Sequence, residues 1–227
     1  MADDMRAELD ALTHEVARLR ALNDIQNLMG AYTVNHLPKN LHDHVELFAM
    51  ERDDISVEVG DRGLYVGPEA VRTLFGRQFK MALEGNLLIH YLATPMIEVA
   101  GDGETAKGVW RSPGIEAVVM LGDDKPTPQW SFGSYAVDFF KLDGRWKIWR
   151  LHWFRAIKCR FDKGWLDDLT MAFGGPLPGS PHLQPTTYHN PYTPSAMQDS
   201  IPSGPKPYQS YDRPGWDVVE QRLGRHR

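Results

Sequence analysis

The sequence is poor in cysteine, in long apolar runs and in clustered positive charge. Its 227 residues include one cysteine, Cys159, which cannot form an internal disulfide, so a reducing compartment is expected. No stretch reaches the roughly 18 consecutive apolar residues of a membrane-spanning helix. The opening MADDMRAELDALTHEVARLR is charged throughout and lacks a signal-peptide apolar core. The cytoplasm is the expected location, with no membrane partner. A net charge of −5 and the absence of a dense Lys/Arg run argue against a nucleic-acid partner. The glycines form neither GxGxxG nor a P-loop string. The GSY and GSP elements lack the GxSxG context of a nucleophile elbow, and Cys159 has no paired base. His42 and His44 fall on an expected helix, where residues two apart do not share a face. No carboxylate stands at metal-ligand spacing to them, so neither metal nor cofactor is expected.

What is present is ordinary in amount and ordered in pattern. Hydrophobic residues at 42% and charged residues at 24% suit a soluble globular protein. Leu9, Leu12, Val16, Leu19, Leu22, Ile25, Leu28 and Met29 recur at helical spacing. They predict one long helix, or two broken near Asn23-Asp24, ending around Tyr32 before Pro38. Residues 40–50 predict a second helix, with Leu41, Val45 and Phe48 on one face. Ile55, Val57 and Val59 alternate as a strand, and Pro68 opens a helix over 68–83, where its missing N–H costs nothing. From His90 onward the pattern is strand after strand: 90–101, 105–112, 116–122, 130–142 and 145–156. Asp143-Gly144 marks a tight hairpin turn between the last two. Helices first and antiparallel strands after predict an α+β domain. The final strand carries Trp146, Ile148, Arg150, His152 and Phe154 on one side and Lys147, Trp149, Leu151, Trp153 and Arg155 on the other. Both of its faces therefore need covering, one by a pocket and the other by a neighbouring subunit.

Ten prolines lie between Pro176 and Pro214, interspersed with Tyr188, Tyr192, Tyr208 and Tyr211. Residues 1–173 are expected to form the domain. Residues 174–227 are expected to form a Pro/Tyr-rich arm packed on its own or a neighbouring subunit, with the tyrosines supplying contact area.

The order of segments IQNLMGAY, HDHVELFA, YVGPEAVRTLF, LLIHYLATPMIEVAGDGETAKGVW and YAVDFFKLDGRWKI resembles the SnoaL-like branch of the nuclear-transport-factor-2-like superfamily. The resemblance spans about residues 22–156. It implies a cone-shaped α+β barrel, a strongly bent antiparallel sheet around N-terminal helices. It also implies a deep apolar pocket and a homo-oligomer formed through the outside of the sheet, a trimer being favoured over a dimer. It does not by itself fix an activity, because one fold serves many functions.

Residue by residue, the resemblance places Tyr32 and His90 at polar, pocket-facing positions. A histidine there can exchange protons near neutral pH. Enzymes of the branch commonly carry an aspartate five residues after the tyrosine; here that position is Leu37, and its neighbours Asn35 and His36 are the replacements to consider. Arg155 stands where some members keep a cation facing substrate, and Arg111 is a second such candidate. Either guanidinium could hold a phenolate or a developing oxyanion. Trp110, Trp130, Trp149 and Trp153 suit a flat, two-ring apolar ligand. The length, aromatic content and extended C-terminal segment resemble the diarylpropane lyases of lignin-dimer catabolism, which are cofactorless and release formaldehyde to leave a stilbene. In that chemistry His90 or Tyr32 would protonate a departing benzylic hydroxyl. Arg155 or a tyrosine would hold the phenolate, and His36 would take the terminal hydroxyl proton. The rival expectations are a dehydratase or isomerase of a steroid-like or polyketide alcohol, and a non-catalytic binding module without clustered ionisable groups.

Overall fold

The computed structural model describes residues 1–80, 84–119, 123–176, 183–198 and 200–212. Helix α1 runs unbroken from Ala2 to Val34, so the break considered at Asn23-Asp24 does not occur. Asp3 and Asp4 in its first turn suit the positive end of the helix dipole. The expected second α-helix is instead a 3-10 helix, Pro38–Leu47. Pro38 is its first residue, a position where a missing N–H costs nothing. The Leu41 and His42 side chains lie outside the described residues. Helix α2, Pro68–Lys80, begins where Pro68 predicts, while its expected last residues, 81–83, are not among those described.

Among the described residues nine strands follow or flank these helices: β1 Ser56–Val59, β2 Leu64–Val66, β3 Leu87–His90, β4 Ala93–Val99, β5 Thr105–Ser112, β6 Gly114–Val119, β7 Pro126–Leu142, β8 Arg145–Arg160 and β9 Leu183–Gln184. His90 closes a short strand rather than opening a long one. The chain turns after it at Tyr91 and Leu92 and enters β4, whose second residue, Thr94, stands at φ 49°. The sheet order is β3-β6-β7-β8-β1-β2-β9, and β5 joins the pair β4-β5 to β7. Strand β7 therefore holds two partners on one edge. Residues 126–130 pair with β6 and residues 133–140 with β5. Every pairing between these strands is antiparallel except β1 with β8. The result is a mixed α+β fold with a curved, unclosed sheet. The β7–β8 turn has Asp143 and Gly144 at φ 47° and 75°. That conformation suits a two-residue hairpin and fits the Asp-Gly pair.

One face of the sheet carries Tyr135, Val137, Phe139, Ile148, Leu151 and Trp153 against Ile25, Met29 and Tyr32 of α1 and Val71, Leu74 and Phe75 of α2. Register shifts at Phe132/Gly133 and Asp138/Phe139 each place an extra β8 residue opposite β7 and bend the pair. The other face is covered by the chain's own later residues. Thr187 binds Glu58 through both its amide and its hydroxyl, Tyr188 packs on Phe154, and the Tyr211 hydroxyl donates to Asp138 at 2.6 Å. Glu58 and Asp138 are thus turned away from the helix-bearing face, as their alternation with apolar neighbours predicts. Among the described residues no helix is long and apolar enough to cross a membrane.

Candidate active site

Two register relations bring the reactive groups together. Strands β3 and β6 pair with His90 opposite Gly114, which sets Glu116 two residues along beside the His90 ring. Strands β7 and β8 pair with Ser131 opposite Lys158, and Lys158 reaches Glu116 from the far side. His90 Nε2 lies 3.1 Å from Glu116 Oε1, and Lys158 Nζ donates to Glu116 Oε2 at 2.7 Å. Burial alone would raise the Glu116 carboxyl, but the Lys158 charge and the His90 bond outweigh it and hold it well below the usual range. Glu116 is therefore an ionised acceptor, which sets a His90 proton on Nε2. The free lone pair is then on Nδ1, and the Tyr135 hydroxyl, 3.3 Å away, donates to it.

The imidazole faces are covered as well as its edges. His36 stacks on one side with centroids 5.1 Å apart, and Trp153 lies within 4° of parallel at 5.7 Å. The close approach to β6 requires a glycine, because a Cβ on Gly114 would stand 2.6 Å from His90 Cδ2.

Around this pair stand further polar rings. Tyr32, at the end of α1, meets Tyr135 edge-on at 5.8 Å and His44 at 4.7 Å. His44 Nε2 donates to the Tyr32 carbonyl at 2.9 Å, since a carbonyl can only accept. Burial raises the phenols of both Tyr32 and Tyr135 above their ordinary value, so both stay protonated. Burial, then the neighbouring His90 and His44, holds His36 well below the usual histidine range, and it is neutral at working pH. The His36 Nδ1 is buried with no hydrogen-bond partner among the described residues. The site thus offers an imidazole whose tautomer is fixed by a carboxylate, a neutral second histidine and two protonated phenols in an apolar setting. That set can exchange protons with a substrate hydroxyl and donate hydrogen bonds to a departing oxygen.

Of the residues named from sequence, Tyr32, His36, His90 and Trp153 come together. The others do not. Asn35 caps α1 and is exposed. Trp110, opposite Tyr135 in the β5–β7 register, packs edge-on against Phe139. Trp149 is the extra residue at a register shift; its Nε1 donates to Asp54 at 3.0 Å and its ring meets Tyr211 at 4.4 Å. Arg111 is exposed and donates to Ser134 at 3.0 Å on the side of a cleft lined by Phe154, Tyr188 and His189. Arg155 is held by Asp61 at 2.6 Å and by the carbonyls of Met171 and Ala172.

Glu116, Lys158 and Tyr135 escaped the sequence reading, which weighed His44 only as a metal ligand. The signal for Glu116 was a lone acid in the otherwise apolar run GIEAVV; its partners are 26 and 42 residues away. Among the described residues no group of three or more His, Cys, Asp or Glu is arranged to hold a metal ion.

A bent sheet wrapped on helices, with a polar cluster set between them, is the architecture of the nuclear-transport-factor-2-like proteins. Residues 17–152 match the SnoaL-like domain, and the chain belongs to that family. No curated protein matches it in sequence. In fold it is similar to a hexachlorocyclohexane dehydrochlorinase, LinA type 2, at TM-score 0.55 and 18% identity, over 65% of this chain and 93% of that one. It is also similar to a candidate scytalone dehydratase from Novosphingobium aromaticivorans DSM 12444, at 0.54 and 15%, over 78% and 99%. A third is the LinA-type3 dehydrochlorinase from Novosphingobium barchaimii LL02, at 0.53 and 18%, over 65% and 94%.

Proposed function

We propose that the chain is a cofactor-independent lyase of the cytoplasm, working as a homo-oligomer. Its substrate would be a lignin-derived phenolic 1,2-diarylpropane-1,3-diol, which loses water and formaldehyde to leave a stilbene. The observation that carries this reading is the buried His90–Glu116 pair facing the Tyr135 hydroxyl. The phenolate ring pushes electrons toward the benzylic carbon, and the C–O bond breaks as a tyrosine donates its proton, giving water and a quinone methide. Nδ1 of His90 takes the proton of the terminal hydroxyl, and Glu116 stabilises the imidazolium that forms. The C–C bond to the terminal carbon then breaks. Its electron pair enters the quinone methide, which regains its aromatic ring, and formaldehyde leaves. The imidazolium returns its proton to the tyrosinate along the Tyr135–His90 contact, so the protein ends as it began. The quinone methide is the electron sink, and the step consumes no other reactant.

A dehydratase of an apolar alcohol is the second reading. The same pair supports it, because elimination of water needs one base and one donor and no released carbon unit. A pure binding module would not require five clustered histidine and tyrosine rings, one of them bonded to a buried ionised carboxylate, a costly arrangement.

The test is to incubate the purified protein with a phenolic diarylpropane-diol and to measure formaldehyde together with stilbene absorbance. Equal yields of both, abolished in His90→Gln, are the expected result. Water loss without formaldehyde would replace the lyase with the dehydratase. No turnover of this diol, with turnover of another apolar alcohol, would remove the proposed substrate and leave the acid–base site.

A further inference from the structure

The N-terminal half of α1 stands apart from the domain. Residues 1–20 of the chain are almost wholly solvent-exposed, and the match to the SnoaL-like domain begins only at residue 17. Yet this half is not a uniformly polar helix. Met5, Leu9, Leu12, Val16 and Leu19 are between 46 and 71% exposed. Their spacing of four, three, four and three residues is the a/d repeat of a coiled coil, which puts all five on one stripe roughly 21 Å long. Ala21, where the helix first becomes buried against the domain, lies about 200° round the helix from Leu19. The stripe therefore faces away from the body and is open along its length.

We infer that this stripe pairs in parallel with the same stripe of another copy of the chain. The charges beside it select both the partner and the direction. With Leu9 and Val16 at a and Met5, Leu12 and Leu19 at d, the g positions hold Glu8 and Glu15 and the e positions hold Arg6, Thr13 and Arg20. In a parallel pair each g residue faces the partner's e residue five positions on, so Glu15 of one copy meets Arg20 of the other. In an antiparallel pair g faces g and e faces e, which sets Glu8 against Glu15 and Arg6 against Arg20. The first arrangement attracts and the second repels. The outer sheet face, meanwhile, is occupied by Thr187, Tyr188 and Tyr211 of the same chain. Among the surfaces described, the helix stripe is the long apolar strip left open. This inference does not depend on the reaction proposed above.

The test uses the full chain carrying Val16→Cys. Val16 occupies an a position, where like residues of parallel helices face each other across the axis, and the native Cys159 is buried. Mild oxidation is expected to cross-link the variant into covalent dimers. Adding Leu12→Lys and Leu19→Lys, both on the solvent side, is expected to cut the cross-linking yield at least tenfold while the domain melts as before. A charge pair gives a second reading: Glu15→Arg or Arg20→Glu alone lowers the yield, and the two together restore it. An absent cross-link, or one indifferent to the lysines, would overturn the proposal.

Discussion

His90 and Glu116 are 26 residues apart in sequence and 3.1 Å apart in space. They meet because β3 and β6 pair with His90 opposite Gly114, which leaves Glu116 as the next residue on that face of β6. The carboxylate fixes which imidazole nitrogen carries the proton and neutralises the cation formed in turnover. Glu116→Gln keeps a hydrogen-bond acceptor there but removes the charge. It is expected to lower kcat about 10²-fold while KM changes little, against a loss of about 10²–10⁴-fold for His90→Gln. Both are read from initial rates of formaldehyde release. A Glu116→Gln enzyme with unchanged kcat would show that the carboxylate is only scaffolding.

Lys158 holds Glu116 ionised, and its removal leaves a buried charge with half its compensation. Lys158→Met is expected to destabilise the fold by about 3–5 kcal/mol, the usual cost of breaking a buried pair from one side. The pH dependence has a definite sign. The Glu116 carboxyl is depressed in the native state, so the stability it contributes is present above the ordinary glutamate value of about 4.3 and is lost as pH falls through its lower native value. Without Lys158 that native value rises, and acid unfolding should begin at a higher pH. Urea midpoints at several pH values measure this. The double variant Glu116→Gln/Lys158→Met, with no buried charge at this pair, should recover part of the loss.

Gly114 is a strand residue with no room for a side chain. Its missing Cβ would press on His90 Cδ2 at 2.6 Å and on the carbonyls of Ile89 and Ser131 at 2.8 Å. Gly114→Ala must shift the imidazole or part β3 from β6. A kcat loss of about 10-fold or more is expected, with a modest fall in Tm, because misplacing a catalytic group costs rate before it costs fold. Activity equal to wild type would show that the strands part without moving His90.

Much of this architecture is legible in the chain. Helix periodicity, Pro68 and the Asp143-Gly144 turn are local signals, and each corresponds to an element in the structure. The face of each β8 residue is not local. Simple alternation groups Arg150, His152 and Phe154 with Trp146 and Ile148. The register shift at Asp138/Phe139 inserts Trp149 as an extra residue, so Leu151 and Trp153 join Trp146 and Ile148 in the core instead. Trp149 was misplaced for that reason. Glu116 and Lys158 were missed because their meeting with each other and with His90 depends on the register of four strands, which no short window of sequence contains. Arg155 was legible as a buried-site cation, but its partner Asp61 lies 94 residues away on a turn.

His152 ties the outer face of the sheet to pH. It is 1% exposed, and burial, with His189 nearby, pushes its imidazole down to about 3. Glu58 Oε2 lies 3.4 Å from Nδ1. That carboxylate already accepts two bonds from Thr187, and burial raises it, so the contact does not rescue the imidazolium. A histidine depressed in the native state is neutral there while the unfolded chain takes up a proton below about 6.5. Stability is therefore full above that pH and falls as pH drops toward 3. At pH 5 the loss from His152 alone is on the order of 2 kcal/mol. Glu58 acts with the opposite sign, since a raised carboxyl costs stability in full above its native value, less as pH falls below that value, and nothing below the ordinary glutamate value. Because Glu58 is present in both proteins, comparing wild type with His152→Gln isolates the histidine. Urea unfolding at pH 8 and pH 5 should show a drop in wild type that is smaller by on the order of 2 kcal/mol in the variant. Parallel pH profiles would mean that His152 takes up a proton in the native state, and that Glu58 holds it as an ion pair after all.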